Sequence, residues 1–270
     1  MQRPTQQRPR ALVVRTAGIN RDGELLRAFT LAGADAEAVH LDRLIAEPDR
    51  IDDYAIIGFP GGFSYGDDVA SGRIMAMHAR ERLWDRFSGA VERGALVIGV
   101  CNGFQVLVQM GLLPGPIGKS PVQRVALTEN AGARFVNKWV RMIPEPASKC
   151  VWTRGLEGAV EPELLMFPSA HGEGRFVADS PETLDELEAG GQVALRYEEN
   201  FNGSERSIAG ICDPSGRVFG LMPHPEDFVH WNRHPWWTRL TGHERSGPPP
   251  GLRLFQNAVE AASNPVGVRA

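Results

Sequence analysis

Cysteine is scarce: the 270 residues hold three, Cys101, Cys150 and Cys212, widely spaced and with no C-x-x-C pair. That pattern excludes a disulfide scaffold and a cysteine-rich zinc site, and it predicts a reducing, cytoplasmic setting. No apolar run approaches the ~20 residues that a membrane-spanning helix needs, and the N-terminus lacks the apolar core of a secretory signal. Positive charge is not in surplus either. With a formal net charge of −4 the chain has no broad basic footprint, so nucleic acid and membrane are not expected partners and an acidic ligand would need a local site. A phosphate loop is also missing. Gly118-Lys119-Ser120 has the ending of one, but Leu113 stands where the first glycine belongs, and Pro114 and Pro116 remove backbone donors. There is no internal repeat. Residues 1–10, MQRPTQQRPR, are polar and basic with two prolines, which predicts a mobile tail ahead of a single domain over 11–270.

What is present starts with one stretch, Ala95–Gln109, ALVIGVCNGFQVLVQ. Leu96, Val97, Ile98 and Val100 suit a strand buried on both faces, while Phe104, Val106, Leu107 and Met110 recur at helical spacing. Between them lies Gly99-Val100-Cys101-Asn102-Gly103. It is the cysteine version of the G-x-S-x-G nucleophile elbow, in which glycines flank a strained turn and let neighbouring backbone pack close. Cys101 is then expected to project at the sheet edge. The N–H groups and dipole of the following helix would favour a thiolate there and supply donors to a developing oxyanion. The alternative for a lone cysteine is a small buried hydrophobe.

The rest of the chain alternates. Ala11–Val14 predicts a first strand, Thr16–Asp22 a loop, Glu24–Ala32 a helix stopping near Gly33, and Ala36–Leu41 a second strand. After a polar segment, Leu44–Asp53, a third strand at Tyr54–Phe59 runs into Pro60-Gly61-Gly62-Phe63-Ser64-Tyr65-Gly66-Asp67. A helical stretch bearing Met75, Leu83, Phe87 and Val91 then leads to the Cys101 strand. Such alternation argues for an α/β fold with a mainly parallel sheet and sites beyond the carboxyl ends of the strands. Gly61-Gly62 and Cys101 would share that edge. Short strands are expected near 122–127, 135–142, 164–168, 193–197 and 207–212. A last strand at Arg217–Met222 delivers Pro223-His224-Pro225-Glu226, and a helix at Leu252–Ala262 closes the chain after a Trp- and Pro-rich loop, 230–250.

His224 and Glu226 are two apart, a spacing that puts both side chains on one side of an extended backbone held by the flanking prolines. A histidine that serves a nucleophile needs an acceptor to fix its tautomer, and Glu226 is placed to be one, directly or across a local bend. The alternative is a His–Glu pair capping a surface turn. His230 and His234 raise a metal reading, against which Pro235 and the surrounding tryptophans argue for a packed loop.

The elbow as G-x-C-x-G-x-Q, the earlier P-G-G loop and the late His-Pro-Glu together resemble the class I glutamine amidotransferases. FPGGFSYGDD at 59–68, GVCNGFQVL at 99–107, LTEN at 127–130, AHGEGRF at 170–176, GRVFGLMPHPE at 216–226 and GLRLFQNAV at 251–259 resemble one family within them, the glutaminase subunits of phosphoribosylformylglycinamidine synthase. The resemblance implies the flavodoxin-like fold of these amidotransferases, a mainly parallel sheet flanked by helices, and a glutaminase with Cys101 as nucleophile, His224 as proton shuttle and Glu226 orienting it. It implies an oxyanion hole from the backbone N–H groups of Gly62 and Asn102, and glutamine contacts from Gln105, His171 and Gly172. It also implies a synthetase subunit as partner, with room for an additional small bridging subunit; ATP and Mg would be used by the partner, and no cofactor or metal is expected on this chain. Two departures stand out. Ala17-Gly18-Ile19-Asn20-Arg21 replaces a Pro-Gly-x-Asn-Cys pattern, and Asp227 stands where arginine is usual.

Overall fold

The computed structural model describes residues 8–115 and 122–264. Most of the N-terminal tail and the Gly118-Lys119-Ser120 segment therefore lie outside the described residues. In chain order the elements are β1 (Arg10–Arg15), α1 (Asp22–Ala32), β2 (Asp35–His40), α2 (Leu41–Ala46), β3 (Ile56–Phe59), α3 (Arg73–Glu92), β4 (Leu96–Val100), α4 (Asn102–Met110), β5 (Val125–Thr128), β6 (Val136–Pro144), β7 (Met166–His171), β8 (Arg175–Ala178), α5 (Pro181–Ala189), β9 (Val193–Tyr197), β10 (Ile208–Cys212), β11 (Val218–Leu221) and α6 (Pro250–Ser263).

Among the described residues nine strands form one sheet in the order β2-β1-β3-β4-β11-β10-β9-β6-β7, and β5 pairs with β8 apart from it. The half from β2 to β11 is parallel throughout. Beyond β11 every pairing is antiparallel. Following the directions across, β2, β1, β3, β4, β11, β9 and β7 point one way, and only β10 and β6 oppose them. The carboxyl ends of β3, β4, β11 and β7 thus share one edge, where Gly62, Cys101 and His224 follow the first three strands and His171 ends β7.

Burial explains the strands. All residues of β3, β4 and β11 are buried, as an apolar run covered by helices on both faces must be. Phe59 of β3 meets Phe87 of α3 at 5.3 Å between ring centroids, whereas a Cβ on the adjacent Gly58 would meet Leu25 and Phe29 of α1. Helices α1 and α3 therefore cover opposite faces, and Phe29 packs edge-on against Phe255 to join α1 to α6. Two helix ends show a local cause. Gly33 closes α1 in the left-handed region (φ 105°), and the Ser180 hydroxyl accepts from Thr183 N to open α5, with Pro181 at its first position.

The polar segment 44–53 contains the end of α2 and a 3-10 turn over Pro48–Asp53. A six-residue helix is too short for periodicity to announce. Neither β8 nor α5 follows from the motif pattern around 170–176, although the Ser180-Pro181 start signal for α5 is there to be read.

Candidate active site

Cys101 occupies the corner between β4 and α4 with φ 52° and ψ −109°. A non-glycine residue held there costs on the order of 1–3 kcal/mol, and the surroundings have to enforce it. They do so by contact. A Cβ on Gly99 would sit 2.5 Å from Gly103 O, and one on Gly103 only 1.9 Å from Phe59 O, so α4 lies directly on the backbone of β3 and β4. Cys101 N donates to Leu221 O at 2.8 Å, and the sulfur, nearly buried, points to β7, where Ala170 O is 3.8 Å away. Asn102 follows at the first position of α4, where an N–H has no acceptor within the helix.

The strand β11 delivers His224, whose N–H donates to Pro168 O at 2.7 Å. Residues 225–227 form a 3-10 turn, so the backbone is bent and not extended as the prolines suggest. The bend brings Glu226 Oε1 to 2.7 Å from His224 Nδ1, and both side chains are almost fully buried. Burial alone would disfavour an imidazolium, but the Glu226 carboxylate and then the Cys101 sulfur outweigh it and raise His224 well above its usual value. A carboxylate accepts, so Nδ1 carries its proton and Nε2 is left for the sulfur. Gly61 lies between the two partners. A Cβ there would meet His224 Cε1 at 2.8 Å and Cys101 Cβ at 3.5 Å.

The loop that carries Gly62 is held from two sides. On one side the loop after β1 pairs with it: Ile19 and Gly62 form an antiparallel bridge, Phe63 N donates to Gly18 O at 3.0 Å and Tyr65 N to Ala17 O at 2.8 Å. Gly62 (φ 141°) admits no side chain, since a Cβ would lie 2.8 Å from Asn20 N. On the other side stands the Asn102 side chain. Its Oδ1 accepts from Ser64 N at 3.2 Å, and its Nδ2 donates to Asp67 Oδ1 at 3.3 Å and to Gln105 Oε1 at 3.0 Å. Asp67 is raised above the usual carboxylate range by burial.

A cavity of about 390 Å³ opens on this edge, bordered by Gly62, Cys101, Gln105, His171, Gly172 and His224. A wider cleft of about 590 Å³ continues from it past Gln105, Gly172 and Glu173. Gln105 borders both, with Nε2 donating to Glu173 O at 2.5 Å, so its amide ties α4 to the loop after β7. His171 is fixed more tightly. Asn130 Nδ2 donates to Arg134 O and to His171 O, each at 2.9 Å, which leaves Asn130 Oδ1 to accept from His171 Nδ1 at 3.1 Å. The ring is thus the Nδ1–H tautomer with Nε2 a buried acceptor, and burial together with the charge of His224 lowers it to about 4.

Asn130, the Asn102 side chain and the pair formed by Arg21 and Asp227 at 3.0 Å are site features that motif reading does not reach. The Asn of LTEN is the one signal for the first. His230 and His234 do not converge: His230 Nε2 is 3.1 Å from Arg27 Nη2, while His234 is enclosed by Trp139, Phe228, Trp231 and Trp236. Among the described residues no cluster of three or more metal-ligating side chains occurs.

The family model of CobB/CobQ-like glutamine amidotransferase domains matches residues 8–260. A relative from Dehalococcoides mccartyi named phosphoribosylformylglycinamidine synthase subunit PurQ is 42% identical over 260 residues, covering 94% of this chain and 97% of its own. The chain belongs to this PurQ family. A Thermotoga maritima member is 41% identical over 252 residues, covering 93% and 97%. Among solved structures, that of PurLQS from Thermotoga maritima aligns with TM-score 0.71 and 36% identity over 94% of this chain and 99% of that one. A second Thermotoga maritima structure, a glutamine amidotransferase, aligns with TM-score 0.50 and 12% identity and shares the fold alone. Among the described residues no helix is long and apolar enough to cross a membrane.

Proposed function

We propose that this chain is the glutaminase subunit of a phosphoribosylformylglycinamidine synthase, acting as a single amidotransferase domain over 11–270 that supplies ammonia for purine biosynthesis. The observation that carries the reading is the meeting, at one sheet edge, of a cysteine in a strained elbow with a buried His–Glu pair at 2.7 Å. The Cys101 sulfur attacks the carboxamide carbon of glutamine, and the oxygen takes up charge next to the N–H groups of Gly62 and Asn102. His224, charged after taking the thiol proton, gives it to the departing nitrogen. Ammonia leaves and a γ-glutamyl thioester remains. Water then attacks the thioester with His224 as base, and glutamate and the thiol are regenerated. Glu226 keeps the Nδ1 proton in place through both halves, so the same Nε2 accepts and donates.

Gln105, His171 and Gly172 border the cavity and are the proposed walls of the glutamine site. The solved relative is described as PurLQS, which supports a synthetase subunit and a small additional subunit as partners. With ammonia from this chain, the synthetase would convert formylglycinamide ribonucleotide and ATP to the amidine, ADP and phosphate. Three free thiols agree with a reducing cytoplasm. The test is covalent. A glutamine-analogue diazoketone should label Cys101 alone, glutamine should protect it, and labelling of Cys150 or Cys212 in its place would refute the assignment.

A further inference from the structure

We infer that Arg21 is a positioning residue of this reaction, fixing the loop that carries Gly62 against the turn that carries His224 and Glu226. The inference rests on the glutamine-hydrolysing role proposed above. Arg21 makes three separate attachments. Its backbone N–H donates to Gly61 O at 3.3 Å, beside the bridge between Ile19 and Gly62. The guanidinium Nη1 donates to Asp227 Oδ1 at 3.0 Å, and Asp227 N donates in turn to His224 O at 3.3 Å. The aliphatic stem packs against the glycine loop, since a Cβ on Gly61 would lie 3.5 Å from Arg21 Cγ on one side and 2.8 Å from His224 Cε1 on another. One residue thus grips the oxyanion loop by its backbone and the His–Glu turn by its charge.

The pair is partly exposed, with side chains 35% and 21% accessible, and as a contribution to stability it ranks with ordinary surface ion pairs. Its placement is what matters. Asp227 is adjacent in sequence to Glu226, whose Oε2 is buried and without a partner among the described residues; His224 answers Glu226, Arg21 answers Asp227, and Glu24, whose Oε1 is 3.8 Å from Arg21, borders the same cavity together with Arg27 and Arg233. Burial and then the Glu226 charge push Asp227 up, with Glu24 adding to them, and Arg21 and then His224 work against them. Without the guanidinium, Asp227 either takes up a proton or repels Glu226, and in each case the turn that aims His224 loses its tie to the loop that binds the oxyanion.

The test is steady-state glutamine hydrolysis by the complex with its synthetase partner, for Arg21→Ala, Asp227→Asn and the double variant. Each single change should lower kcat about tenfold while KM moves less than about threefold, because a misplaced loop costs the transition state more than the ground state. The double variant should be no slower than the slower single one, since both remove the same link. Unchanged kcat in Arg21→Ala, losses that multiply in the double variant, or a loss confined to KM would each overturn the inference. If Arg21→Ala does not fold, Arg21→Met keeps the stem against Gly61 and removes the charge, and it should lose activity to a similar extent; full activity there overturns the inference as well. Wild-type enzyme without glutamine hydrolysis would instead refute the proposed function.

Discussion

The Glu226 carboxylate holds the buried His224 ring at 2.7 Å. Replacing it with glutamine keeps the shape, removes the charge and lets the side-chain amide present a donor to Nδ1, which favours the wrong tautomer. Glu226→Gln should therefore lower kcat by about 10²-fold or more in glutamine hydrolysis, with folding preserved by circular dichroism. A second residue-scale expectation concerns His171, which folding lowers from 6.5 to about 4. Its folded value lies below its unfolded one, so the unfolded chain binds the extra proton. The stability that His171 contributes is present above pH 6.5 and is lost as pH falls toward 4. Between pH 7.5 and 5 the wild type should lose about 2 kcal/mol more unfolding free energy than His171→Asn, measured by urea denaturation. An equal loss in both would contradict the neutral, buried ring.

At the scale of the elements, α4 lies on β3 with no space for a methyl group at Gly103, where a Cβ would approach Phe59 O to 1.9 Å. Gly103→Ala forces α4 away from the sheet and takes Cys101 out of its corner. The expected cost is about 1–3 kcal/mol in stability together with loss of glutamine hydrolysis, read by thermal melting and assay. Gly23 in α1 has nothing within 4 Å of its Cβ position, so Gly23→Ala should leave activity intact and raise stability by about 0.4–1 kcal/mol. The contrast separates glycine required by close approach from glycine that is only tolerated. The loop 230–250 is packed only in part: Trp231 and Trp236 meet the His234 ring, while Trp237 stays exposed.

Across the whole molecule, β1, β3, β4 and β11 were legible because they are continuous apolar runs, and the elbow and His-Pro-Glu were legible because each is local. The antiparallel extension through β10, β9, β6 and β7 left individual strands visible but not their pairing, which depends on contacts far apart in sequence. Arg21 and Asp227 are 206 positions apart. In the sequence they are two separate departures from the pattern the chain resembles; in the fold they are one ion pair. His171 and Asn130, which together fix a tautomer, sit in different motifs and meet only through the folding of the loop after β7.

The central claim is that Cys101 releases ammonia from glutamine for a synthetase that could also take it from solution. The most direct measurement is amidine formation from formylglycinamide ribonucleotide and ATP by the assembled enzyme, with wild-type chain or Cys101→Ala, and with glutamine or ammonium as nitrogen source. Glutamine should support the reaction only with the wild-type chain, and ammonium should support it equally with both. Glutamine-dependent product from Cys101→Ala would contradict the claim.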